Sequence, residues 1–360
     1  MAQALRQTTF LLLAVAIIGV VGYAVLQSRP AERQSVFTRA PKVGVHTRLT
    51  DEVEQWKVEK TFQMVREMGS RWAVEYFPWL YMESNRGRID WSHADMVVNA
   101  ADAQGIELIA RIDSVPDWAR PKNTTSRYLD RSHYQDYADF FYAFVQRYKD
   151  KVHHYIVWNE PNVAFEWGYR PVSPEEYTEL LKLTYRRIKE ADPTAKVIAA
   201  GLAPTLEESE MAMSDLTYLQ RMYEAGARDH FDIMSVHAYG WKFPPDDPAD
   251  GQRINFSRAV LTRQVMERNG DGDKPVFITE GGWNDHPRWT KAVRPAQRVQ
   301  YTVRAYQKAA EEWPWCEVVA MWCFRLPAPT HTYNDYFTFV NFDFKPKPVY
   351  DAVRAYAIGQ

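Results

Sequence analysis

Two glutamates stand in settings that could do acid–base and nucleophilic chemistry. Glu160 lies in Trp158-Asn159-Glu160-Pro161-Asn162 and Glu280 in Thr279-Glu280-Gly281-Gly282-Trp283, and each follows a short apolar run. Carboxyl groups at the ends of two such runs can face each other across one site. A facing pair can divide the work of cleaving a glycosidic bond. One carboxyl, protonated, gives a proton to the departing oxygen, while the other, ionised, attacks the anomeric carbon. Negative charge on one member of a pair raises the pKa of the other, so identical groups can hold different protonation states. Asn-Glu-Pro alone is a weak signal; its position after the fourth apolar run, with a second Glu after the seventh, is the stronger one.

Those runs belong to a longer pattern. Short apolar or β-branched segments at 43–46, 72–77, 108–112, 155–158, 197–200, 233–237, 276–279 and 318–324 alternate with amphipathic stretches. The helical stripe of Tyr134, Tyr137, Phe141, Phe144 and Tyr148 and the capping box Ser173-Pro174-Glu175-Glu176 are clear examples. Eight βα units predict an α/β fold of the (β/α)8 TIM barrel type. A doubly wound open sheet is the alternative, but no glycine-rich dinucleotide fingerprint follows the first run. In a barrel, working residues sit at the C-terminal ends of the strands, which is where both glutamates fall.

On these residues the chain resembles the clan A glycoside hydrolases, most closely bacterial proteins similar to family 39 β-glycosidases and endoglycanases. The resemblance covers nearly everything from Val43 onward. Trp158-Asn159-Glu160-Pro161-Asn162 is similar to the clan's acid/base signature, which implies that Glu160 is the acid/base and that Asn159 binds the sugar 2-hydroxyl. His237-Ala238-Tyr239 resembles the clan's His-x-Tyr and implies that Tyr239 approaches the nucleophile. Glu280 matches the nucleophile strand, and Trp322 resembles the Trp that floors the sugar subsite. The implied activity is retaining hydrolysis of β-glycosidic bonds in a polysaccharide or oligosaccharide, by double displacement and without a cofactor. There is one departure: the clan usually places an Arg on strand two, where this chain has Val74. Arg325 or Arg111 could substitute. That gap motivates a second reading, an inactive barrel that binds carbohydrate; a barrel enzyme abstracting a proton with a carboxylate base is a third.

Sugars offer an apolar face, so aromatic platforms are expected around such a pair. The chain holds 13 Trp, 17 Phe and 21 Tyr, 14% aromatic. Trp79, Trp118, Trp167, Trp241, Trp283 and Trp289 fall in or near loops after the predicted strands, and together they predict an extended cleft. Trp79, Trp118 and Trp283, with Asp113 at the end of the third run, are expected to bind substrate; Glu75, Glu166 and Asp335 are further polar candidates. No metal is expected, because His153 and His154 would face opposite ways and the Asn269–Asp273 turn lacks a distal Glu. With 44 Lys and Arg against 46 Asp and Glu, a net charge of −2 and no basic block, nucleic acid is an unsuitable partner. Cys316 and Cys323 read as two buried thiols. The oligomeric state is left open.

The 17 residues from Phe10 to Leu26 carry no charge, which predicts residues 1–27 as a membrane anchor or signal segment that would meet the lipid bilayer. Residues 28–41, polar and proline-punctuated, are expected to link it to a catalytic domain over 42–360. The expected location is outside the cytoplasm, anchored or, after cleavage, secreted. The excess of Arg29, Arg33, Arg39 and Lys42 over Arg6 argues for the opposite orientation.

Overall fold

In a computed structural model, residues 33–359 are described. The expected anchor over 1–27 lies outside the described residues, as does the start of the expected linker. From Ser35 the chain forms one compact unit. Thr38, Arg39 and Ala40, within the expected linker, are already bound to the barrel: the Arg39 amide donates to the Ala357 carbonyl at 2.7 Å, and Ala40 is buried. Among the described residues, no helix is long and apolar enough to cross a membrane.

Each predicted apolar run forms a strand: β1 (Val43–His46), β2 (Trp72–Pro78), β3 (Glu107–Asp113), β4 (Val152–Val157), β5 (Lys196–Leu202), β6 (Ile233–Tyr239), β7 (Val276–Gly282) and β8 (Cys316–Met321). They pair in parallel in sequence order, and β8 pairs back to β1, closing the barrel. Outside it lie α1 (Gln55–Glu67), α2 (Ser92–Ala103), α3 (Tyr134–Tyr148), α4 (Pro174–Ala191), α5 (Asp215–Glu224), α6 (Ala259–Arg268), α7 (Pro295–Glu311) and α8 (Pro348–Ile358). The serine half of the expected capping box forms, while the Glu176 carboxylate pairs with Arg170 at 2.6 Å instead. Ser173 Oγ accepts from the Glu176 amide at 3.2 Å, and Pro174 fills the first helical position.

The strands are buried on both faces, which is why they read as nearly continuous apolar runs. Their outward residues pack under the helices in one large cluster. Their inward residues form a second, small cluster: Val74, Ile109, Ile156, Ile198, Ile233, Phe277, Val318 and Ala320 plug the barrel. Because side chains alternate along a strand, the inward positions beyond that plug are the ones that reach the mouth. By that count His46, Tyr76, Arg111, His237, Tyr239 and Trp322 point into the mouth.

Glu280 needs an extra device. Counting in twos from Phe277 would turn it outward. Between β6 and β7 the register shifts by one residue, from Val236 opposite Ile278 to His237 opposite Glu280, and this bulge brings Glu280 round to the side of His237. Several non-glycine residues just past the strand ends hold left-handed backbones, among them Arg48 (φ 57°), Ser114 (φ 59°), Trp158 (φ 74°), Glu160 (φ 41°) and Trp241 (φ 48°). Such conformations cost energy and concentrate where side chains must be aimed.

Candidate active site

At the mouth, Glu160 and Glu280 come together. A carboxylate oxygen of each lies within 4.8 Å of the other and of a His237 ring nitrogen. Glu160 is fixed from the backbone, its amide donating to the Gly201 carbonyl at 3.0 Å. His237 Nδ1 is 2.7 Å from Glu160 Oε1 and 3.9 Å from Glu280 Oε2. The His237 ring lies against β5, where a Cβ on Gly201 would sit 2.3 Å from the imidazole, so only glycine lets the histidine reach both carboxylates.

Glu280 sits in a cage of donors. Tyr239 donates its hydroxyl to Oε2 at 3.0 Å, and the Arg111 guanidinium donates to Oε1. The same Arg111 nitrogen donates to Asn159 Oδ1 at 2.8 Å, which fixes the amide beside the carboxylate pair. Burial pushes the Glu280 carboxyl up, but the charges of His237 and Arg111 outweigh it and hold the group well below the ordinary carboxylate range. Burial lowers the His237 pKa, yet the Glu280 charge and the hydrogen bond to Glu160 leave it raised overall. Those two directions describe an ionised Glu280 beside a readily protonated imidazole. The place left open by Val74, which packs in the barrel plug, is filled by Arg111 from the neighbouring strand. Arg325 does not substitute: it is buried against Glu52 and donates to the Phe342 carbonyl at 3.1 Å.

A cleft of about 540 Å³ opens over this pair, with Tyr76, Trp241, Trp289, Trp322 and Phe337 among its walls. Trp322 meets His46 edge-on, ring centroids 4.7 Å apart. His46 Nε2 lies 3.8 Å from Glu280 Oε1, and neither ring nitrogen has a hydrogen-bond partner. Burial and then the Arg111 charge keep its pKa far below the ordinary value, so this ring is neutral. Arg48 and Arg127 also line the cleft.

Four expected substrate contacts lie elsewhere. Trp79 is fully buried and donates to Glu83 Oε2 at 2.7 Å; Trp118 packs edge-on against it at 5.1 Å and donates to the Glu83 carbonyl. Trp283 is buried, donating to the Phe243 carbonyl at 2.8 Å beneath Gly240, where a Cβ would meet its ring at 2.1 Å. In each case a protein acceptor satisfies the indole N–H; Trp79 and Trp283 turn inward and pack as core, while Trp118 lies half-buried against that core. Trp167 is buried too, but its indole N–H has no hydrogen-bond partner. Asp113 is enclosed as well, 3.3 Å from Arg111 Nε and paired with Arg127; it holds the arginines and does not reach the cleft. Glu75 accepts from Thr47 Oγ1 at 2.5 Å and from the Leu49 amide at 2.8 Å, and Asp335 accepts from the Thr330 amide at 2.9 Å; both carboxylates tie loops. Glu166 does line the cleft, 3.2 Å from Arg127 Nε, and burial with the charges of Asp113 and Glu160 pushes its carboxyl up to about 7 against the pull of Arg127 and Arg111.

Among the described residues, Glu160, His237 and Glu280 are the group that could approach a metal ion; Arg111 already supplies the positive charge on Glu280 there. Cys316 and Cys323 are buried free thiols, each pushed up to about 12, chiefly by burial.

No protein-family model matches the chain. In sequence it is 29% identical over 273 residues to endo-1,4-beta-xylanase 1 of Gibberella zeae, covering 64% of this chain and 75% of that one. It spans less than a third of three further curated relatives, a xylanase and two beta-glucosidases. Among solved structures, a family 39 glycoside hydrolase from Bacteroides cellulosilyticus superposes with a TM-score of 0.71 at 22% identity, over 89% of this chain and 64% of that one. A family 39 beta-xylosidase from Caulobacter crescentus gives 0.65 at 19% identity, over 89% and 72%. In fold and in aligned sequence, then, the chain is similar to the clan A glycoside hydrolases, with family 39 barrels among its structural neighbours.

Proposed function

We propose that the protein is a retaining hydrolase of β-glycosidic bonds, with Glu280 as nucleophile and Glu160 as acid/base. The observation that carries this is the closeness of the two carboxylates, within 4.8 Å between oxygens. Retaining enzymes hold the pair about 5–5.5 Å apart, whereas inversion needs roughly 6.5–9.5 Å to admit a water. In the first step Glu280 Oε forms an ester bond to the anomeric carbon, the glycosidic C–O bond breaks, and the proton on Glu160 passes to the leaving oxygen. Water then attacks the anomeric carbon and gives its proton to Glu160 as the bond from that carbon to Glu280 Oε breaks, releasing the Glu280 carboxylate. Arg111 and Tyr239 favour the ionised nucleophile before the first step and accept it back after the second. Asn159, with its oxygen held by Arg111, offers its amide N–H to a sugar hydroxyl, and Trp322 offers a platform.

The relatives that are xylanases, beta-xylosidases and beta-glucosidases support a β-xyloside or β-glucoside substrate. The charge-free run at 10–26 supports attachment to a membrane or export, and cell fractionation with N-terminal sequencing tests that. The catalytic test is a panel of 2,4-dinitrophenyl and 4-nitrophenyl β-glycosides. Glu280→Ala is expected to abolish turnover, with azide restoring it as the α-glycosyl azide; Glu160→Ala is expected to lose about 10²–10⁴ in rate on poor leaving groups and to yield the β-glycosyl azide. Glycan binding without turnover by the unaltered protein would instead support the carbohydrate-binding reading.

A further inference from the structure

A second cavity, of about 840 Å³, adjoins the catalytic cleft. Its walls come from the loops after β5, β6 and β7 together with Val163, three residues beyond Glu160. Trp241 belongs to both cavities, so its indole is their common wall. This cavity therefore lies over the β5–β7 side of the mouth and reaches the Glu160 loop at Val163. A leaving group that takes its proton from Glu160 and extends toward Val163 enters it.

The charges in the second cavity are not balanced within it. The Lys291 ammonium sits 3.4 Å from the centroid of the Trp241 ring, and Lys242 lies beside Phe243 at 5.5 Å. Among the described residues neither ammonium has a carboxylate within 4.0 Å. Arg253, also in the wall, is paired with Asp247 at 2.9 Å, and the one carboxylate of the lining, Glu207, keeps its charge while accepting from Ser209 Oγ at 2.6 Å, so two ammonium groups stand against one carboxylate. The rest of the wall is largely apolar, with Leu206 and Ile254 prominent. Burial has already lowered the Lys291 pKa, the sign of a cation partly stripped of water and lacking a counter-ion. Trp241 has a left-handed backbone (φ 48°), a conformation that concentrates where side chains must be aimed.

We propose that this cavity binds the leaving-group portion of the substrate and that Lys291 and Lys242 select glycans carrying an anionic substituent there, a carboxylate or a sulfate. The proposal rests on the glycoside hydrolase reading above, and its test separates the two. With the sugar turned over fastest in the panel, kcat/KM is compared for 4-nitrophenyl and 3-carboxy-4-nitrophenyl β-glycosides, with a sulfonated aglycone as a third arm. The acidic aglycone is expected to be favoured about tenfold at low salt, the worth of one charge-assisted contact. The preference should collapse toward unity in a Lys242→Met, Lys291→Met double variant and at high salt, while the neutral substrate stays within about twofold. A carboxylate preference without a sulfonate preference assigns the site to uronic acids; equal preference assigns it to anions generally. No preference, or one that survives the double variant, overturns the proposal while leaving the glycosidase reading intact. If no glycoside is turned over, that reading fails and binding decides the cavity alone. Calorimetry of the Glu280→Gln protein with methyl β-glucuronide and methyl β-glucoside should then show a glucuronide preference that the double lysine variant removes, and equal affinities would overturn it.

Discussion

The floor and the mouth of this barrel are built from the same strands by the same alternation, yet they differ completely in chemistry. On β2 and β3 the inward residue changes from Val74 to Tyr76 and from Ile109 to Arg111 within two positions, about 7 Å of strand; on β6 it changes from Ile233 to His237. Below, seven aliphatic side chains and Phe277 form an uncharged plug in the lumen. Above, Arg111, Glu280, His237 and Glu160 form a partly buried network in which each group's charge depends on the others. Buried charges are tolerable there only because they are paired. The comparison assigns stability to the floor and reactivity to the mouth, and it can be tested from both ends.

Removing the charge beside Glu280, the proposed nucleophile, should have the largest effect. Arg111→Met is expected to lower kcat/KM about a thousandfold, in the range seen for loss of a charge-stabilising donor, with a raised acid limb in the pH–rate profile because Glu280 loses a cation that depresses its pKa. An unchanged acid limb would mean that Arg111 does not set the charge of Glu280. In the floor, Ile156→Ala should cost about 2–5 kcal/mol of stability by calorimetry, with kcat/KM of the folded protein within about twofold of the original. A large activity loss there would erase the division between the two regions.

Aromatic walls come next in size. Trp289→Ala and Trp241→Ala, which stand in the cleft, are expected to raise KM about tenfold through loss of a stacking face, whereas Trp79→Phe should alter the thermal midpoint and leave KM unchanged. The smallest effect is a pH dependence of stability. Glu166 has a carboxyl raised to about 7, so between its ordinary value of 4.5 and about 7 the folded state binds more protons than the unfolded one. Its contribution therefore falls as pH rises through that window. Glu166→Gln should flatten that part of a thermal-midpoint profile, and an unaltered slope would mean that Glu166 is not protonated in the fold.

The barrel was legible in the sequence because strands buried on both faces are largely apolar, and the runs that became β1 to β8 are, apart from mouth and loop-tying residues such as Glu75, Arg111 and His237. The carboxylate pair was legible because Glu160 and Glu280 terminate such runs. Residues acting through direction were harder to find. Arg111 was one of two candidates to support Glu280, and only the inward parity of β3 separates it from Arg325. His46 could have been found by the same count from the end of β1. Trp79, Trp118 and Trp283 follow strands as cleft residues do, but a strand end specifies where a residue is, not which way its ring turns. Their indole N–H groups found acceptors in Glu83 and at Phe243, and no local pattern announces that.

The one-residue register shift between β6 and β7 acts as a phase adjustment in an otherwise strict two-step rhythm. Thr279 absorbs the extra beat, tied to Ser235 by a hydroxyl contact of 2.5 Å. A regular β7 of the same length, without the shift, would keep every residue type of the mouth and yet turn the glutamate to the helix side of the wall. Transplanting this mouth onto another eight-stranded scaffold therefore requires copying an irregularity as well as a set of side chains.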